Sequence, residues 1–230
     1  TLPAFSLADV AFAVKERDIL NGVTFDILKG SRTVLLGENG CGKTTLLRLI
    51  SRLEKPTRGV ILQNIDDKFG QKSKQSKKWY KKVGVVYQNP DYQLFMQTVE
   101  KEIKFGAKSD EYADEIAEKF GIKHLYARHP QSLSEGQKRR VSIAAVVATD
   151  PEVLILDEPT VGQDYKGLCE MVEVLNKLHE EAHNTMITVT HDKRCAAALC
   201  DKSVWIKNGK TYKTGGKELV DEFFIQIGVN

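Results

Sequence analysis

Three short stretches carry residues whose types and spacing could do chemistry. GENGCGKTT, residues 37–45, follows the apolar run TVLLG (33–37) and has the pattern G-x-x-x-x-G-K-[ST] at a strand-to-helix junction. Gly37, Gly40 and Gly42 let backbone amides turn inward, and the helix starting near Lys43 presents unpaired N–H groups to the same anion. Asn39, Cys41 and Thr45 complete this phosphate-binding loop. Lys43 would neutralise β- and γ-phosphates, and the Thr44 hydroxyl would ligate magnesium. In VLILDEP (153–159) an apolar strand ends on two acids; Asp157 suits a magnesium shell and Glu158 can polarise an attacking water. In LSEGQ (133–137), Ser134, Glu135, Gly136 and Gln137 open a helix and form a second anion-binding start. A chain with its own complete phosphate loop has little need of a second one, so this start is expected to serve the nucleotide of another subunit.

The elements that must position these residues alternate between short strands and helices. Leu7, Val10, Phe12 and Val14 predict a partly exposed first strand, and VTFDI (23–27) a second. TVLLG, VLILD, MITVT (186–190) and VWI (204–206) read as buried strands of a parallel sheet. A helix is expected from Lys43 to about Leu53. Another, between VLILD and MITVT, carries Leu168, Met171, Val172, Leu175 and Leu178 on one face. PTRG (56–59) marks a turn, and Asn208-Gly209 a hairpin. Residues 98–149 show three helical patterns and no strand, which predicts a helical subdomain between core strands. The expected organisation is one domain over 1–230, with a nucleotide-binding core of 1–87 and 150–230 and a helical subdomain over 88–149.

One stretch is harder to place. VVYQNPDYQLFMQTVEKEIKFG (85–106) begins as a strand at Val85–Tyr87, breaks at Gln88-Asn89-Pro90, and then sets Leu94, Phe95 and Met96 in a row. KFGQKSKQSKKWYKK (68–82) carries seven lysines and reads either as a solvated loop or as a contact for anionic lipid or substrate.

The 230 residues allow one good core carrying a modest subdomain, and the net charge of +3 is too mild to argue for nucleic acid. No apolar run approaches the ~18–20 residues of a membrane span, and no signal-like start is visible. Cys41, Cys169, Cys195 and Cys200 lack zinc-like spacing and read as reduced thiols. The chain starts at Thr1 rather than Met, as a processed or excised piece would.

In this order the three stretches resemble the ATPases of ABC transporters, over about residues 5–215. The resemblance implies an α/β fold of the P-loop NTPase (RecA-like) type, with a mostly parallel sheet, an N-terminal antiparallel β part and an inserted helical subdomain. It implies ATP and Mg2+ as cofactors. It also implies two subunits packed head to tail, each ATP lying between one phosphate loop and the other subunit's signature at Ser134–Gln137. Gln88 then touches magnesium or water and relays to a membrane partner; Asp164 in TVGQD crosses the dimer interface; His191 in TVTHD holds the γ-phosphate. Two departures stand out. Val14 occupies the place where the family stacks an aromatic on adenine, and Gln163-Asp164-Tyr165 replaces the usual Leu-Asp-Pro. Cys41, beside Lys43 and a helix start, reads as a thiol-sensitive position.

The segment from Tyr87 to Gly106 is similar to that of energy-coupling factor transporter ATPases, which serve vitamin and transition-metal uptake. That resemblance implies a groove for helices of a shared transmembrane subunit, with Asp91 facing arginines and Leu94, Phe95 and Met96 as contact surface. The other reading is that Leu94 and Phe95 cap the subdomain's own core. The expected setting is peripheral, at the cytoplasmic face of the cell membrane. The partners are a second like or related ATPase, a transmembrane coupling subunit and, indirectly, a substrate-binding membrane protein; no nucleic acid is expected. The group commonly carries a further C-terminal region. A chain ending at Asn230 soon after the amphipathic ELVDEFFIQIGV reads either as lacking it or as half of a two-cassette polypeptide. The alternatives are another ABC transporter family, a soluble ABC ATPase acting on DNA or ribosomes, and a non-hydrolysing regulator. Intact Glu158, Gln88 and His191 argue against the last. The cargo is not written in the chain.

Overall fold

The computed structural model describes residues 2–65 and 77–228. Two sheets organise them. β1 (Pro3–Val14) pairs antiparallel with β2 (Arg17–Leu28) on one side and with β4 (Arg58–Gln63) on the other. The second sheet has the order β5 (Val83–Val86), β6 (Val153–Asp157), β7 (Thr185–Val189), β3 (Arg32–Leu36), β8 (Lys202–Lys207), β9 (Lys210–Gly215). It is parallel from β5 to β8, and β9 closes it as the antiparallel arm of the Asn208–Gly209 hairpin.

The parallel strands are continuous apolar runs because both of their faces are covered. Every residue of β6 and β7 is buried. On one side, α1 (Lys43–Ile50) sits between the two sheets and buries Leu46, Leu47, Leu49 and Ile50 with Phe5, Val10, Ile27 and Ile187. On the other, α6 (Tyr165–Ala182) buries Leu168, Met171, Val172, Leu175 and Leu178, the stripe that a period of 3.6 demands. The final helix α8 (Lys217–Gln226) packs Leu219, Val220, Phe223 and Phe224 against Val34, Leu36 and Trp205.

Between β5 and β6 the chain is helical: α3 (Val99–Lys104), α4 (Asp110–Lys119) and α5 (Glu135–Val147). Thr98, Ser109 and Ser134 cap them with side-chain oxygens on backbone amides of the first turn. Their buried faces meet Leu154 and Leu156 of β6, so the helices share a core with the sheet.

Several expectations shift in detail. The first helix stops at Ile50 instead of about Leu53, because the chain reverses at Arg52 with φ 59. The strand expected at Val85–Tyr87 runs Val83–Val86; beyond it the Tyr87 amide donates to Gln93 Oε1 at 3.0 Å rather than to a neighbouring strand. Of the lysine-rich stretch, 68–76 lies outside the described residues. Its end is not a solvated loop but a helix, α2 (Lys77–Lys82), pinned by Trp79, which is buried beneath the Arg52 guanidinium. The strand β4 and the short helix α7 (Lys193–Ala198) carried no sequence signal.

Candidate active site

The chemically loaded residues gather at one edge of the sheet because each follows the C-terminal end of a parallel strand, where open α/β sheets bind ligands. The phosphate loop follows β3, Gln88 follows β5, Asp157 and Glu158 end β6, and His191 follows β7. Together they line a cavity of about 990 Å³ with Asn39, Gly40, Cys41, Gly42, Lys43, Thr44 and Thr45, a volume that suits a nucleotide.

The loop is held from both sides. Gly42 precedes α1 with φ 102, and a Cβ there would lie 2.5 Å from Leu20 Cδ2, so only glycine lets the loop lie this close to β2. Lys43 is buried and donates from Nζ to the carbonyl oxygens of Gly37 (2.6 Å) and Glu38 (2.9 Å). Its ammonium is thus fixed inside the loop, where the oxygens of a bound phosphate chain would arrive.

Asp157 and Glu158 are adjacent and both buried. Burial pushes the Asp157 carboxyl up to about 6, and the neighbouring Glu158 charge adds to the shift. Burial also raises Glu158, against the His191 amide and the Thr190 hydroxyl, which hold its charged form. Glu158 has φ 53; its own amide donates to Val189 O at 2.8 Å and its Oε2 accepts from the His191 amide at 3.1 Å. The His191 ring sets Nε2 3.3 Å from Glu158 Oε1, and that oxygen is buried with no hydrogen bond of its own. Burial and the Lys43 charge lower the His191 pKa, so its imidazole is neutral at physiological pH. The result is a strained acid aimed into the cavity beside a half-exposed histidine. A hydroxyl on Thr44, a buried carboxylate on Asp157 and an amide on Gln88 facing one cavity form a hard, oxygen-rich donor set that fits Mg2+.

Ser134, Gly136 and Gln137 do not reach this cavity. They line a separate hollow with Gly162, Gln163, Asp164 and Arg140. Ser134 forms a reciprocal capping box with Gln137, and Glu135 is exposed beside it. Asp164 caps α6 by accepting from the Gly167 amide at 2.7 Å. Gln163, at one of the family departures, joins the two loops: its Nε2 donates to Gly136 O at 2.8 Å and its Oε1 accepts from Arg140 Nε at 3.2 Å. A Cβ on Gly136 would stand 2.8 Å from Gly162 O, which explains glycine at that place.

The row Leu94–Met96 divides. Leu94 is 5% exposed and belongs to the core around Val99, Ile103 and Leu133, so its assignment to a docking surface is corrected: its side chain seals the helices. Phe95 is 67% exposed and stacks edge-on against exposed Phe105 at 5.4 Å, while Met96 is half-buried. Asp91 does not stand free. Lys138 of α5 donates to it at 2.9 Å.

Three positioning residues were given no role in the sequence reading. Glu102 is buried and accepts from the amides of Phe95 (2.9 Å) and Met96 (2.7 Å), which sets the turn that displays Phe95. Lys138 and Arg139 hold Asp91 and the carbonyls of Tyr87 and Gln88. Their signal was available as two consecutive cations at core-facing places in a helix that is otherwise apolar there.

A phosphate loop after the first parallel strand, an acidic pair ending another, and a second helix start apart from both define a nucleotide-hydrolysing cassette. The family described as ABC transporter matches residues 20–161. The energy-coupling factor transporter ATP-binding protein EcfA2 of Enterococcus faecalis is 40% identical over 221 residues, covering 89% of this chain and 74% of that protein. The EcfA2 of Bacillus subtilis is 40% identical over 210 residues, with 87% and 76% covered. Among solved structures, cbiO1 from Clostridium perfringens, part of the ABC transporter complex cbiONQ, superposes with a TM-score of 0.82 at 32% identity, over 96% of this chain and 91% of that one. A dimeric post-hydrolysis state of the ATP-binding cassette MJ0796 bound to ADP and Pi gives 0.80 at 26% identity, over 93% and 98%. The chain belongs to the ABC transporter ATPases and, within them, to the energy-coupling factor transporter ATP-binding proteins. Among the described residues no helix is long and apolar enough to cross a membrane.

Proposed function

We propose that this ATPase powers an energy-coupling factor importer for a vitamin or a transition-metal ion, working as one of two cassettes packed head to tail. The observation that carries this reading is the separation of the two anion-binding starts: Ser134 and Gly136 line a hollow with Asp164 that shares no lining residue with the phosphate-loop cavity. A signature that does not face its own nucleotide is suited to face another subunit's, with Asp164 at the seam.

Within the cavity, Lys43 and the loop amides bind the phosphates. Thr44, Asp157 and Gln88 would hold Mg2+, which would supply charge neutralisation at the phosphate oxygens. Glu158 orients and polarises the attacking water, and His191 donates to the γ-phosphate from a neutral ring held against Glu158. Core 1–87 and 150–230 binds the nucleotide, and the helical part 88–149 relays to the partner. The docking face is a groove of about 710 Å³ lined by Phe95, Phe105, Val85, Val146 and Glu102; Met96 and Asp91 border the same turn. An exposed aromatic pair of this kind is what a helix of a transmembrane subunit would cover. That partner places the ATPase at the cytoplasmic face of the membrane.

The test is steady-state ATPase activity against protein concentration, with Ser134→Arg beside the unmodified chain. Activity should rise more steeply than linearly, alone or on adding a partner cassette, and the variant should stay flat. Activity strictly proportional to concentration and indifferent to Ser134 would overturn the reading.

A further inference from the structure

The phosphate end of the cavity is fixed by Lys43, Asp157, Glu158 and His191. The remaining wall, which must take the base and ribose, includes the β1–β2 hairpin through Val14, Lys15, Arg17 and Ile19. A base is ordinarily seated on an aromatic face, a contact worth about ten- to a hundredfold in affinity. Apart from the His191 imidazole at the phosphate end, the lining contains one ring, Trp205. It is 2% exposed, packed edge-on against Tyr212 (4.9 Å) and Phe223 (5.1 Å), and committed to the core under α8. Among the described residues the base end of the cavity, away from His191, has no ring free to stack on a base.

What stands there instead is a cross-strand pair. Val14 and Arg17 are direct partners on the last rung of the β1–β2 ladder. The two residues between them, Lys15 and Glu16, take φ 45 and 66, the left-handed pair of a tight two-residue hairpin turn. Directly paired residues project from the same face with Cβ atoms about 4.5–5.5 Å apart. Val14 is 46% exposed, Arg17 is exposed, and among the described residues the Arg17 guanidinium makes no hydrogen bond or ion pair. A guanidinium is planar, weakly hydrated and stacks on π-faces; an ammonium does not.

We propose that Val14 and Arg17 together form the nucleobase platform, the guanidinium plane stacking on the base above the valine methyls. A stacked cation reads the face of a ring and not its edge, so adenine and guanine are accepted nearly alike. Arg17 is therefore the residue that sets base affinity, and the platform itself confers little choice among purines. The inference rests on the cavity being the nucleotide site.

Equilibrium binding of ATP, GTP and inorganic triphosphate to the full chain tests it, with Arg17→Ala, Arg17→Lys, Val14→Tyr and Lys43→Ala beside the unmodified protein. ATP and GTP should bind within about threefold of each other, and both more tightly than triphosphate. Arg17→Ala should weaken both nucleotides by about tenfold while leaving triphosphate within about twofold. Arg17→Lys, which keeps the charge without the plane, should recover little, and Val14→Tyr should tighten both nucleotides. ATP favoured more than tenfold over GTP, equal weakening of triphosphate by Arg17→Ala, or full rescue by lysine would each overturn the platform. Failure of the cavity assignment looks different: ATP and triphosphate would then bind no better to the unmodified chain than to Lys43→Ala. Both hairpin positions are exposed, so melting temperatures should stay with the unmodified protein and exclude misfolding as the cause.

Discussion

Arg139 of α5 donates through its guanidinium to the carbonyl oxygen of Gln88, and at 2.7 Å to that of Tyr87. The helix that Ser134 caps therefore grips the turn that carries Gln88 into the cavity. Arg139 is 1% exposed, and burial lowers its pKa against the pull of Asp157 and Glu158. Gln88 and the signature helix are mechanically one unit.

Arg139→Met keeps much of the apolar stem and removes both bonds. Two backbone carbonyls lose a partner, at about 1–3 kcal/mol for each one left unsatisfied. Thermal unfolding should show the loss of stability, and kcat should fall while ATP affinity stays within about twofold, because the phosphate loop is untouched. A fall in affinity with kcat preserved would separate Arg139 from the relay.

Glu158→Gln removes the carboxylate that faces the cavity and keeps its shape. Loss of a group that acts on transition-state charge costs ~10²–10³ in rate. Turnover should drop by that factor, with ATP binding retained by direct titration. Turnover above about a tenth of normal would remove Glu158 from the chemistry.

The acidic pair makes a pH prediction of definite sign. Asp157 has a folded pKa of about 6 against 3.8, so the native state holds a proton there that the unfolded chain has already lost. Its contribution to stability is most favourable below about pH 4, declines as pH rises to 6, and remains a penalty above it. Asp157→Asn should therefore raise the melting temperature of the nucleotide-free protein by about 2–4 °C near pH 7.5 and by less near pH 4. Equal effects at both values would contradict the buried-charge account. The kcat/KM for ATP, which reports the nucleotide-free enzyme, should fall as pH drops through about 6.

Leu94 and Phe95 are sequence neighbours with opposite roles. Leu94→Ala opens a cavity in the helical core and should cost about 2–5 kcal/mol. Phe95→Ala, at an exposed ring, should leave the melting temperature within about 2 °C and weaken capture by a transmembrane partner. Reversal of the two melting effects would contradict the turn held by Glu102, with Leu94 inward and Phe95 outward.

The phosphate loop and the acid pair were legible because their chemistry is local. Residues 37–45 and 153–159 each hold a strand, a turn and their reactive groups within one window, so composition and period suffice. β4 was not legible: none of its residues is fully buried, Val60 and Leu62 stay 52% and 43% exposed, and it exists because β1 offers it an edge. α7 has six residues, too few for a period to emerge. The sequence could set Leu94, Phe95 and Met96 in a row, but only Glu102, seven residues beyond Phe95 and bonded to its amide, decides which side chain turns inward. Asp91 reads as an acid for a partner's arginines, and its contact with Lys138 in its own chain was not legible because the two lie 47 residues apart. Long-range pairings set the roles that the sequence left open.

The central claim is that Ser134 and its helix start act on a nucleotide other than the one in their own chain's loop. Equilibrium binding of ATP to Ser134→Arg, at protein concentrations too low for subunits to pair, tests it most directly. Affinity within about twofold of the unmodified chain, with hydrolysis abolished when protein is concentrated or a partner cassette is added, is the predicted result. Loss of binding in the dilute variant comparable to that of Lys43→Ala would place the signature on its own nucleotide and contradict the account.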